Sequence, residues 1–189
     1  MKYHVDWLKS KCDQGLEPKF LFFWGHTPAP NETVGAFLLS QWYPASFEVE
    51  GILYPTSEHF MMAHKALLFG DQVVFEQIIH SKTPGEAKDL GRMVSGFVED
   101  VWVSTRYEIV KKANLEKFGQ NEILKNYLVQ TDQRILVEAS PVDRIWGIGL
   151  TKDDPNASNI HAWRGTNLLG FALMEVRDSF NRQTTTGKE

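Results

Sequence analysis

The sequence predicts a mainly α fold with a small β element, and three observations carry that reading. From Thr56 onward apolar residues return at helical spacing in one segment after another, most of them with start or stop signals. Before that point Pro28, Pro30, Gly35 and Pro44 break the chain, and its clearest alternation is the short run from Phe47 to Tyr54. The length, 189 residues, calls for one sizeable core.

Each element follows from local signals. Tyr3, Trp7, Leu8 and Cys12 are spaced for a short amphipathic helix that stops near Gly15, and the apolar run Phe20 to Trp24 reads as a strand. Alternation across Gly51 reads as a hairpin over residues 47–54. Pro55 ends it, and Thr56 or Ser57 caps a helix carrying Glu58 and Lys65. Residues 71–80 form the next helix, and Thr83-Pro84-Gly85-Glu86 opens another with a cap and a first-turn proline. The longest helix is predicted over 98–118, with a shorter one over 121–130, a strand over 134–138 and a closing helix over 168–180.

Composition narrows the functional classes. A net charge of −4 and a pI near 5.9 argue against a broad basic face for nucleic acid. The six Trp are many for this length, so some rings are expected to be platforms. One cysteine, Cys12, excludes an internal disulfide and fits a reducing compartment. The first residues lack a signal-type apolar core and no run reaches membrane-spanning length, so a cytoplasmic protein with no membrane partner is expected.

Glu58 and Lys65 lie seven residues apart, close to two helical turns, and therefore share a face. They also share it with Met61 and Met62, a stripe that should pack inward, so their charges are expected to be partly desolvated rather than a solvated surface pair. Trp102 and Arg106 lie four positions apart, an aromatic and cationic pair suited to stacking a base and gripping a phosphate, or else a core Trp with Arg packed over it. Arg92 is a second phosphate candidate. Asp143-Arg144-Ile145-Trp146-Gly147-Ile148-Gly149 sets an acid and an indole beside two glycines that let backbone approach a ligand. Thr166-Asn167-Leu168-Leu169-Gly170 opens the last helix, whose N-H groups could receive a phosphate or be capped by Thr166 or Asn167. No metal is expected: His59 and His64 are five apart, about 140° around a helix, and no zinc or calcium pattern is present.

Taken together, Phe22-Phe23-Trp24, Leu39-Ser40, Tyr54-Pro55-Thr56-Ser57-Glu58-His59, His64-Lys65-Ala66, Gly91-Arg92, Trp102, Arg106, Lys117-Phe118, Glu138, Asp143 to Gly149 and Gly165 to Gly170 resemble the YbiA-like family, also called NADAR. The resemblance runs over residues 19–180 and implies a single, mainly helical domain with a little β structure. Residues 1–18 are then a helical N-terminal extension and 181–189 a flexible polar tail. One departure is Gln41-Trp42, where the family usually has Asn and an aromatic.

The resemblance implies an N-glycosidase that hydrolyses the C1–N bond between a phosphorylated ribose and an amino base. The substrate would be a ribosylamino-pyrimidine phosphate of riboflavin synthesis, or ADP-ribose on guanine in nucleic acid. No cofactor is implied. By position Glu58, Lys65 and Asp143 would be catalytic, Glu58 as general acid and base and Lys65 as the amine that captures C1 as an imine. Trp24, Ser40, Gln41, Arg92, Trp102, Arg106, Trp146, Gly147, Asn167 and Gly170 would bind substrate. The alternative is a non-catalytic module for ADP-ribose or NAD, which loss of Glu58, Lys65 or Asp143 would mark; all three are present.

Overall fold

The computed structural model describes residues 1–186. Its helices and strands, in chain order, are α1 (Val5–Asp13), β1 (Phe20–Phe23), β2 (Phe47–Val49), β3 (Ile52–Tyr54), α2 (Ser57–Leu68), α3 (Gln72–Ile79), α4 (Pro84–Arg92), α5 (Glu99–Gly119), α6 (Glu122–Gln130), β4 (Ile135–Glu138) and α7 (Leu168–Thr186). Two short 3₁₀ turns, Ala36–Leu39 and Ile160–Ala162, have no counterpart in the periodicity of the sequence. The fold is mainly α with a small β element. α7 continues into the stretch expected as a tail; residues 187–189 of that tail lie outside the described residues.

The helix starts are set by side-chain caps. Thr56 Oγ1 accepts from the His59 N–H at 3.3 Å, Asp71 Oδ1 from Val74 at 3.0 Å and Thr83 Oγ1 from Glu86 at 3.1 Å, each satisfying a donor the helix leaves open. In the hairpin, Glu50 and Gly51 both have positive φ (53° and 78°), the type I′ geometry whose twist matches paired strands.

The chain forms two compact units: one from Met1–Ser40 with Ile123 onward, the other from Gln41–Glu122. In the first, β1 and β4 pair in parallel, Phe20 opposite Ile135 through Phe23 opposite Glu138, and α7 packs on β4. Leu136, Val137, Leu169, Phe171 and Leu173 bury that contact. A Cβ on Gly170 would lie 2.1 Å from the Leu136 carbonyl oxygen, so glycine permits the helix to approach the strand this closely.

In the second unit α2 is the centre, packed by α3, α4, α5 and β3. Every residue from Ser57 to Ala63 is buried, which leaves no solvent face on its first two turns. Phe47, Tyr54 and Phe60 form an aromatic cluster under the hairpin, and His64 stacks on Phe60 at 3.9 Å between centroids.

Lys117 sits on the buried face of α5 with no exposed surface, its ammonium 5.0 Å from the Phe118 ring centroid, and burial lowers its pKa to about 7. Unfolded, this amine protonates below its usual 10.5; folded, only below about 7. Between those values the unfolded chain binds more protons, so this group makes stability rise with pH, by up to about 1.4 kcal/mol per unit. Urea unfolding at pH 7, 8 and 9 should show the slope, and Lys117→Met should flatten it. An equally steep slope in the variant would assign the effect elsewhere.

Candidate functional site

The first turn of α2 carries the acid. Pro55 cannot continue the hairpin ladder and Thr56 caps the helix, so Ser57 and Glu58 fall at the positive end of the helix dipole, where a carboxylate is favoured. Glu58 is 3% exposed, and its backbone N–H donates to the Gln41 carbonyl at 3.2 Å. Beside it, Ser57 Oγ is buried without a hydrogen-bond partner among the described residues.

Lys65 follows on the same helix face, half-buried. Its Nζ donates to the Gly91 carbonyl at 2.8 Å and lies 4.3 Å from the Phe97 ring centroid and 5.7 Å from that of Trp102. Burial lowers its pKa, and Glu99 opposes that shift. Trp102, on α5, is 9% exposed; one turn later Arg106 has its Nε buried without a hydrogen-bond partner among the described residues. Arg92 lies on the surface, paired with Asp89 at 2.8 Å.

Gln41 is buried, and its Oε1 accepts from Asn114 Nδ2 at 2.9 Å. Asn114 Nδ2 also donates to the Val110 carbonyl at 2.9 Å. Sequence reading missed Asn114. The signal was present: Val110, Ala113, Asn114, Lys117 and Phe118 make one helical stripe, so two polar residues sit where packing demands apolar ones.

In the other unit the Asp143 loop is built by its own acid. Asp143 Oδ1 accepts from the backbone N–H of Ile145 at 2.8 Å and of Trp146 at 2.7 Å, while its own N–H donates to Ser140 Oγ at 3.1 Å. Asp143 and Trp146 are both half-buried. Ser40 is half-buried after the first 3₁₀ turn, and Trp24 is 60% exposed just past β1.

At the start of α7 and in the Asp143 loop several of the expected binding residues also make contacts within the chain. The N-H groups opening α7 are used within the chain: Thr166, Asn167, Leu168 and Leu169 donate to the carbonyls of Arg144, Gly147, Ile145 and Trp146 at 3.0–3.2 Å. Asn167 is fully buried and bolts α7 to β4, its Oδ1 accepting from Glu138 N–H and its Nδ2 donating to Leu136 O, both at 2.9 Å; its amide is committed to the fold. At Gly147 and Gly170 the chain itself comes close: a Cβ on Gly147 would lie 2.8 Å from the Glu138 carbonyl oxygen.

Glu58, Gln41, Lys65, Trp102 and Arg106 thus share one unit, while Asp143 and Trp146 share a loop of the other. Among the described residues no group of three or more His, Cys, Asp and Glu is placed to hold a metal ion, and no helix is long and apolar enough to cross a membrane.

The model of the NADAR domain matches residues 22–181. N-glycosidase R617 of Acanthamoeba polyphaga mimivirus is 40% identical over 165 residues, covering 85% of this chain and 95% of that protein. Riboflavin biosynthesis protein VVA0006 of Vibrio vulnificus is 32% identical, over 79% of this chain and 36% of that longer protein. The NMR structure of the E. coli protein YbiA superposes with a TM-score of 0.71 at 26% identity, covering 90% of this chain and 89% of the other.

Proposed function

This chain belongs to the NADAR domain family and is a hydrolase acting on N-glycosyl compounds, and from that premise we propose that it cleaves the C1–N bond between a phosphorylated ribose and an amino base. The observation that supports this most is the pair on α2: a buried carboxylate, Glu58, and seven residues later an amine whose pKa burial lowers, Lys65. General acid–base chemistry at a glycosidic nitrogen needs the first, and capture of C1 needs the second.

The steps balance with one water consumed. Opening of the ribose ring leaves C1 doubly bonded to the base nitrogen. Neutral Lys65 adds to C1, the base nitrogen receives one proton from Glu58 and one from the attacking amine, and the C1–N bond breaks as the protonated lysine imine forms. Water then adds to C1, Glu58 takes up a proton, and the C1–lysine bond breaks to release the sugar aldehyde. Trp102 stacks the base or ribose. Arg106, with its buried Nε in want of an acceptor, suits the phosphate better than Arg92, which is exposed and paired. For Asp143 and Trp146 the family resemblance supports a part in the reaction.

The net charge of −4 favours a free ribosylamino-pyrimidine phosphate over ADP-ribosylated guanine in nucleic acid. Both substrates should be offered to the protein and to Glu58→Gln, with products read by mass spectrometry. Release of ribose 5-phosphate, lost in the variant, is the expected outcome; release of ADP-ribose instead would move the substrate class to modified guanine. No release from either, with ADP-ribose still bound, would overturn the hydrolytic reading in favour of a binding module.

A further inference from the structure

The polar groups around the start of α2 contain an imbalance that the mechanism above does not use. Asn114 Nδ2 has two hydrogens and spends both, on Gln41 Oε1 and on Val110 O. That fixes which way each amide faces: the nitrogen of Asn114 must meet two acceptors, so the oxygen of Gln41 must be one of them. The consequence is that Gln41 Nε2, a donor of two hydrogens, is buried without a hydrogen-bond partner among the described residues, as is the acceptor Asn114 Oδ1 on the far side of the pair. Leaving such a donor unmatched is unfavourable, and an arriving acceptor would offset that cost. Gln41 is also tied at its backbone, where its carbonyl accepts from Glu58 N–H. The unmatched donor therefore belongs to a residue anchored at once to the acid's turn and to α5.

We infer that Asn114 is a positioning residue, holding the Gln41 carboxamide so that its NH₂ group meets a hydroxyl or carbonyl oxygen of the ribosylamino substrate on which Glu58 acts. The inference rests on the glycosidase reading for its substrate, and it gives a physical sense to the departure at position 41. A side chain one methylene longer than the usual Asn can span to α5 and be gripped there. Asn114 acts through Gln41 and need not touch the substrate.

Reciprocal exchange of the two amides tests this. Gln41→Asn withdraws Oε1 by one methylene, Asn114→Gln extends the partner by one, and the double variant keeps their summed length. Each single variant should raise KM about tenfold, the value of one lost neutral hydrogen bond, with kcat changed less. The double variant should return to within about threefold of wild type. Losses that add in the double variant, or singles that behave as wild type, would overturn the inference. A second readout does not require turnover: the side-chain amide signal of Gln41 in ¹⁵N-labelled protein, titrated with ribose 5-phosphate. It should move in wild type and not in Asn114→Gln. Movement without hydrolysis of any substrate would sink the glycosidase reading and keep the positioning role; a signal that stays still in wild type would sink the positioning role even if hydrolysis is observed.

Discussion

Glu58→Gln should lower kcat by about 10²–10⁴-fold, the range that loss of a positioned general acid and base produces. The substitution isolates proton transfer because so little else changes. Glutamine matches the shape of the carboxylate, the Thr56 cap and the backbone bond to the Gln41 carbonyl do not involve the side chain, and the surrounding residues Ser57 to Ala63 remain packed. A carboxylate that served only to complement the helix dipole would contribute about 0.3–1 kcal/mol of stability and nothing to the chemical step. The two roles therefore separate in a pair of measurements, kcat and the melting temperature. A variant that melts near wild type but has lost turnover assigns the acid to catalysis. Turnover kept within tenfold, with a lowered melting temperature, would return Glu58 to a structural part.

Why the acid could be picked out, and other features not, comes down to the range of the signals. Asp71, Thr83 and Pro84 mark the starts of α3 and α4 through contacts within one turn, and Glu50-Gly51 sets the hairpin through its own dihedrals. Sequence shows such local chemistry directly. The pairing of β1 with β4 joins Phe20 to Ile135 across most of the chain, and two short apolar runs do not say that they meet. The same gap applies to the glycines. Gly147, Gly165 and Gly170 signal that something comes close, yet only the fold shows that it is the carbonyl of Glu138, Gly147 or Leu136. Likewise the start of α7 has the composition of an anion site, and its donors are consumed by a loop some twenty residues upstream. At Gln41 sequence shows an altered amide; the helix residue that holds it is a tertiary fact.

Lys65→Ala should lower turnover on the order of 10²-fold or more and abolish a covalent adduct that wild type forms. A lysine of ordinary pKa near 10.4 is neutral about once in 2,500 at pH 7, a penalty of roughly 4.6 kcal/mol for a nucleophile. The fold works against that penalty. Burial beside Phe97 and Trp102 lowers the pKa of Lys65, and the Gly91 carbonyl gives the amine an uncharged partner in place of a carboxylate. Only Glu99 pulls the other way. The sign for activity follows, because the reactive form is the neutral amine: turnover rises with pH through the pKa of Lys65, below the usual 10.5. Glu99→Gln, by removing the opposing charge, should move that limb to lower pH. Borohydride added during turnover should reduce the imine and leave a sugar phosphate on the peptide containing Lys65, detected by its mass. Near-normal turnover in Lys65→Ala with no adduct in wild type would replace the imine by direct attack of water on an oxocarbenium-like C1, leaving Glu58 as the acid and base of a simpler reaction.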